Sequence, residues 1–458
     1  MVTISSLFKI LSCTDHVDYA IIVIALSSVL CYIWLYAKSK RQPHPLPPGP
    51  WGLPIIGNLL FLKPELHTYF QGLAKEHGPI FKLWLGSKLA IVVSSSEVAR
   101  EILRTNDVIF ANHDVPAVAL INTYGGIDIA WSPYGPRWRM LRKLCVNKIL
   151  SNVRLDSSVG LRRGETRRTV RYLADQARAG SQVNLGEQIF VMILNVVTQM
   201  LWGATVEEEE RGIVGAEFLE LVQEMNDLLM VPNISDFFPA LTRFDLQGLA
   251  KRMRGLAQRL DRLFDRVINQ RLGMDKGTQG KGEDFLQVLL KIKDEEEGQT
   301  NLNMNDVKAL LMVQTLRLHM VAPLLIPHRP SQTTVVGGFT IPKDSKVFIN
   351  VWAIHRNPNV WENPLEFDPN RFLDKSYDFN GNDFNYIPFG AGRRICVGMA
   401  MGERIVLYNI ATLLHSFDWK LPQGERMEVE EKFGIALKLK NPLLTTPVLR
   451  LSDPNLYL

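Results

Sequence analysis

The sequence predicts a mainly α-helical fold with small β-sheets. Three patterns carry that prediction. Between about 96 and 320, apolar residues recur at helical spacing in one run after another. β-Branched residues alternate over 80–95 and return in short runs beyond 321, such as "TTVVGGFTI" and "KVFINVW". A glycine-rich segment opens a last apolar helix at about 399–416. The 458 residues, 46% hydrophobic and 22% charged, suffice for a large core. No repeat, low-complexity tract or composition break divides the body.

Near the start of the chain stands "YAIIVIALSSVLCYIWLYA", Tyr19–Ala37, which has no formal charge and is followed by "KSKR". Its length suits one membrane-spanning helix, and the basic cluster places its C-terminal side in the cytosol. A cleaved signal peptide is the competing reading, but no small-residue cleavage site follows. Residues 1–42 are thus read as an anchor facing the endoplasmic reticulum membrane and its lipid. "PHPLPPGPWGLPIIGN", residues 43–58, is too proline-rich for a helix and reads as a stiff hinge. Residues 59–458 form the body.

Within the body, "IFKLWLGSKLAIVVSS" (80–95) reads as two short strands around Gly86. "SEVAREILRTN", "YGPRWRMLRKLCVNKIL", "EQIFVMILNVVTQMLWG" and "AEFLELVQEMNDLLM" read as helices, as does the basic, amphipathic 249–272. "EEEE" at 207–210 and "DEEE" at 294–297 read as solvated turns. "NIS" at 233–235 is a glycosylation sequon that a cytosolic body would leave unused. The net charge of +5 implies no nucleic-acid partner. Cys13, Cys31, Cys145 and Cys396 lie far apart, so neither a disulfide framework nor a structural zinc site is indicated.

The segment richest in chemistry is "FNYIPFGAGRRICVGMAMGERIVLYNIATLLHSF", 384–417. Gly390, Gly392 and Gly398 surround Cys396, and a helix starts just beyond it. Glycines allow tight turns and close approach to a ligand. A helix N-terminus favours a thiolate, which is what a soft metal needs, and Arg394 suits an acidic ligand edge. A dinucleotide fingerprint does not fit, because the spacing is not G-x-G-x-x-G. An inert buried cysteine remains open on the residues alone.

Phe389-x-x-Gly392-x-Arg394-x-Cys396-x-Gly398 resembles the haem-binding signature of the cytochrome P-450 superfamily. The resemblance runs over nearly the whole chain. Trp138 and Arg142 match a W-x-x-x-R motif whose side chains reach a haem propionate. "FDPNRF" (367–372) matches P-E-R-F, with Asn370 at the usual glutamate and Arg371 kept. His328 in "LLIPHRP" stands where a further propionate donor is expected. The anchor, hinge and "WAIHRNPNVWENPLEFDPNRF" look like plant microsomal A-type members, similar to geraniol-8-hydroxylase-like and ferruginol-synthase-like enzymes.

That resemblance implies a haem b monooxygenase with Cys396 as axial iron ligand, fed by an NADPH-dependent reductase. The expected substrate is a small apolar terpenoid or phenolic, with pocket residues in 111–131, 219–230, 321–326 and 433–437. Arg137, Arg139, Arg142 and Lys143 are either a solvated face or a reductase-docking surface. The family's distal helix motif, A/G-G-x-D/E-T-T/S, is absent. "NMNDVKALLM" looks like the opening of that helix, while "VQTLRLH" looks like the later helix bearing E-x-x-R, with Gln314 at the glutamate and Arg317 kept. The expected fold therefore lacks most of the distal helix and the helices after it, with a junction near 312–313. No oxygen-activating acid–alcohol pair is identified. Residues Asp306–Leu318 are predicted to form one continuous helix, since apolar residues keep helical spacing.

Overall fold

The structure, a computed structural model, describes residues 23, 26, 27, 29, 30, 44–203, 208–273, 322–365, 380–422, 430–434 and 437–457. The five described anchor residues are all helical and exposed. Strands β1 (Ile80–Leu85) and β2 (Lys88–Val93) form the hairpin expected around Gly86, with Ile80 opposite Val93 and Leu85 opposite Lys88. Phe81, Leu83 and Leu85 alternate into the core, as a half-buried strand requires. A two-residue loop, Gly337–Gly338, joins a second hairpin of Thr334–Val336 and Phe339–Ile341. Both glycines have positive φ, the geometry a tight hairpin turn demands.

The main sheet has the order β1-β2-β5-β4-β3, where β3 is Asn112–His113, β4 is His328–Arg329 and β5 is Lys346–Ile349. β2 and β5 pair in parallel and the remaining pairs are antiparallel. This sheet sets His113 directly opposite His328, joining two segments remote in sequence.

Helices fill most of the described body. Those that frame the site are α1 (Ser96–Arg100), α2 (Ala117–Asn122), α3 (Pro136–Leu144), α4 (Val159–Ala179), α5 (Leu185–Trp202), α6 (Glu208–Met230), α7 (Leu249–Leu272) and α8 (Met399–Ser416). α1 continues as a π-turn over Glu101–Thr105, and α3 does so over Cys145–Ile149. The largest apolar cluster joins α3, α5, α6, α7 and α8 through residues such as Leu141, Val197, Phe218, Phe264 and Met401. α5 is long and apolar enough to cross a membrane by length and composition, yet Leu194, Val197 and Leu201 are core residues here.

The bounds of α7 and α8 fall where periodicity places them. "EEEE" is corrected: Glu208–Glu210 open α6 instead of forming a turn. Acidic side chains stabilise a helix N-terminus through its dipole. The sequon residue Asn233 is 5% exposed and its Oδ1 accepts from Ser235 N at 2.9 Å. "DEEE" at 294–297 and the helix expected over Asp306–Leu318 lie outside the described residues.

Candidate functional site

Residues 387–398 fold into successive tight turns just before α8. Gly390 N donates to Ile387 O (3.0 Å), Ile395 N to Gly392 O (3.1 Å) and Cys396 N to Phe389 O (3.0 Å). Gly392 has φ +70°, and a Cβ there would lie 2.0 Å from Leu103 O. The loop thus packs backbone to backbone against the π-turn after α1. Gly398 is the N-cap of α8, so half-buried Cys396 stands just before the helix.

α3 runs beside this loop, with Pro136 at its first turn. Trp138 and Leu141 are buried, whereas Arg137, Arg139 and Lys143 are exposed. Trp138 Nε1 donates to Ile129 O at 3.0 Å. One turn later, Arg142 Nη1 donates to Ile395 O at 3.0 Å, the residue before Cys396. Arg394 donates three times: Nε to Ala111 O (2.5 Å), Nη1 to Ile129 O (3.2 Å) and Nη2 to Ser132 O (2.6 Å). Its guanidinium carbon is 4.4 Å from the centre of the Trp138 ring, and that of Arg142 is 5.4 Å away. One indole thus serves both cations. Burial lowers Arg394 to about 10, Arg142 adding repulsion and Asp128 partly offsetting it. Burial also lowers Arg142, opposed by the nearby sulfurs of Cys396 and Cys145.

Two histidines complete the cluster. His328 Nδ1 is 2.7 Å from Phe110 O, and His113 Nδ1 is 2.6 Å from Ala130 O. Their rings meet edge-on with centroids 5.1 Å apart. Burial holds both neutral, His328 falling to about 4 and His113 well below its usual value. With Nδ1–H donated to a carbonyl, each Nε2 is an acceptor. Asp128 lies in the same segment, its Oδ1 accepting from Ala130 N (2.7 Å) and Trp131 N (2.6 Å). Burial raises it to about 7 despite those bonds. A small, partly open hollow adjoins, lined in part by Leu103, Phe110, Ala111, His328 and Arg394.

A cysteine, two guanidiniums, an indole N–H and a histidine therefore converge on one region. This donor set fits a metal macrocycle bearing carboxylates: sulfur suits iron, and guanidinium forks suit carboxylates. The cytochrome P450 family model matches residues 47–315 and 314–446, most of the chain. The chain belongs to the cytochrome P450 family. Haem iron is accordingly its cofactor.

Among plant relatives, a flavonoid 3'-monooxygenase of Crocosmia x crocosmiiflora is 37% identical over 497 aligned positions, covering 93% of this chain and 97% of the relative. An ent-cassadiene hydroxylase of Oryza sativa subsp. japonica is 33% identical over 511 positions, covering 94% and 97%. A zebrafish cytochrome P450, solved with progesterone, superposes with a TM-score of 0.65 at 21% identity, over 85% of this chain and all of that one. That likeness confirms the mainly helical P450 fold with small sheets.

Cys396, Trp138, Arg142, His328, Arg394, Phe389, Gly392 and Gly398 all fall in or beside this region. Gln314, Arg317 and Arg371 lie outside the described residues. The sequence did not single out His113 or Asp128. Asp128 carries a signal, being a lone acid in the apolar run "GGIDIAW". Of the expected pocket windows, 111–131 borders the cluster, whereas Leu221, Val222, Met225 and Leu228 of 219–230 are packed in the large apolar core.

Proposed function

We propose that this chain is a membrane-anchored haem-thiolate monooxygenase by descent, built to oxygenate a small apolar plant metabolite of terpenoid or phenolic type. The observation that carries this reading is the convergence of Arg394, Arg142 and Trp138 beside Cys396. Cys396 would ligate the iron. Arg394 and Arg142 would hold the carboxylates through their remaining N–H groups. Trp138 and His328, whose Nε1–H and Nδ1–H are given to Ile129 O and Phe110 O, would join them, the first by exchanging Ile129 O for a carboxylate and the second by taking up a proton on Nε2. Phe389, Gly392 and Gly398 would shape the loop. When bound, haem supplies the activation of dioxygen and the insertion of one oxygen atom. Buried Trp138 and half-buried Arg394 would shield the sulfur of Cys396 from water on their side. Arg137, Arg139 and Lys143, exposed on α3, offer a cationic face to an NADPH-dependent reductase.

The membrane reading has support beyond the anchor. Trp51, Ile55, Leu60, Phe61, Phe244 and Leu246 are exposed apolar residues. The β1–β2 turn touches both the hinge and the 234–237 helix, with Gly86 N donating to Ile56 O (3.1 Å) and Ser87 N to Phe237 O (3.0 Å). Exposed apolar side chains in and just beyond the hinge suit a lipid surface, with the body on the cytosolic side of the endoplasmic reticulum.

A second reading concerns activity. The family model meets this chain in two pieces that join at 314–315, and the 497-position alignment is longer than the chain itself. Both support an internal gap at the junction near 312–313. With Gln314 replacing the E-x-x-R glutamate and no distal acid–alcohol pair, the chain would hold haem without productive turnover. A carbon-monoxide difference spectrum of the reduced protein decides the first reading. A band at roughly 450 nm, lost in Cys396→Ser, is expected; absence of any haem spectrum overturns it. Measured turnover of flavonoid or terpenoid substrates with reductase would overturn the second.

A further inference from the structure

We propose that the 243–254 stretch, which leads into α7, docks on an anionic lipid surface. Arg243, Lys251, Arg252 and Arg254 are all exposed there, and none has an acidic partner among the described residues. Further along the same helix the pattern changes: Arg259 pairs with Glu220 at 3.2 Å and Arg266 with Glu217 at 2.7 Å. The acid within 243–254 is Asp245, and it is used internally, its carboxylate accepting from Ala250 N (3.0 Å) and Lys251 N (2.9 Å). The first turn of α7 carries no acid, so cations stand near the helix end where the dipole disfavours them. Within the fold these charges have no counter-ion, which points to an anion outside the chain. Apolar side chains occupy the same stretch. Phe244 is 55% and Leu246 60% exposed, and the Arg243 guanidinium carbon lies 4.7 Å from the centre of the Phe244 ring. Ile234 N donates to Gln247 Oε1 at 2.7 Å, mooring the stretch to the 234–237 helix on the β1–β2 turn. Cations beside exposed apolar side chains fit a bilayer interface, where apolar groups enter the headgroup layer and cations meet its phosphates.

The proposal rests on the membrane reading above, and its test separates the two. The full-length chain is placed in nanodiscs of phosphatidylcholine, alone or with about one-third phosphatidylserine. Hydrogen exchange is followed in peptides of 44–61 and of 239–252. The hinge peptides, 44–61, are expected to be protected in both discs. Peptides of 239–252 are expected to exchange about fivefold more slowly in the anionic discs, the scale of one cation's attraction to such a surface. The variant Lys251→Gln, Arg252→Gln, Arg254→Gln should lose that difference, since glutamine keeps helix propensity and drops the charge. A control, Arg163→Gln, Arg167→Gln, Arg171→Gln, removes the same charge from exposed positions on α4 and should keep it. Salt at roughly 0.5 M should shrink the difference. Equal exchange in both discs, or an equal loss in the α4 variant, overturns the site. Equal slowing by inorganic phosphate in neutral discs marks a soluble anion as the occupant and overturns the lipid. If 44–61 stays unprotected while 239–252 slows only in anionic discs, the hinge's place on the membrane fails and the docking site stands.

Discussion

At Gly392 the sequence has no alternative. Its φ of +70° already disfavours a side chain, and Leu103 O would lie 2.0 Å from a Cβ. Backbone on both sides leaves nothing to rotate away. Gly392→Ala is therefore expected to cost more than about 3 kcal/mol. Gly402, inside α8, provides the contrast, since its nearest neighbour is the Phe389 ring at 3.7 Å. Gly402→Ala should raise stability by about 0.5–1 kcal/mol through helix propensity. Denaturant midpoints of the two variants check this, and a stable Gly392→Ala would sink the argument. The cysteine loop was legible because its glycines, Arg394 and Cys396 are local and spaced by type. The partners of Arg394 were not. Ala111, Ile129 and Ser132 contribute carbonyl oxygens, which every residue has, so no residue type announces them.

Among elements, the 127–132 turn makes the sharpest test. Asp128 accepts two backbone N–H groups, yet burial outweighs them and raises its carboxyl to about 7. A folded value above the usual carboxylate range means that the folded state holds the proton more tightly. The group therefore costs nothing below about pH 4 and destabilises progressively as pH rises towards 7. Asp128→Asn keeps an acceptor for both N–H groups and cannot ionise. Relative to wild type it should gain stability between pH 5 and 8, by on the order of 1 kcal/mol or more. A difference that stays constant with pH would count against the buried, unbalanced carboxyl. Long elements such as α7 and α8 were legible to the residue because apolar spacing persists over many turns. "EEEE" misled because charge density marks solvent exposure equally in a turn and in a first helical turn. The two-residue strand β3 has no periodicity to read, and it is β3 that brings His113 to His328.

Across the described molecule, buried or half-buried neutral histidines join distant segments. His328 and His113 link the main sheet to the 110–130 region. His355 Nε2 accepts from Ile387 N at 2.9 Å, linking the sheet side to the cysteine loop. Burial lowers His328 and His355 to about 4 each, and His113 well below its usual value. A histidine lowered in the folded state binds its proton more readily when unfolded. Stability is therefore complete above the unfolded value of about 6.5 and falls as pH drops towards 4. Among the described groups, Asp128 and Asp236 are raised by burial and act in the opposite direction over part of that range, whereas Asp114 and Glu97 are lowered and act with the three histidines, so acid is expected to destabilise. Each fully buried histidine contributes on the order of 2 kcal/mol between pH 7 and 5. His355→Gln isolates the effect, because glutamine can still accept from Ile387 N but carries no titrating proton. Its denaturant midpoint should fall less than that of wild type over this interval, by about 1–2 kcal/mol in stability. Parallel pH profiles for the two proteins would show that His355 is not what ties the sheet to the loop against acid.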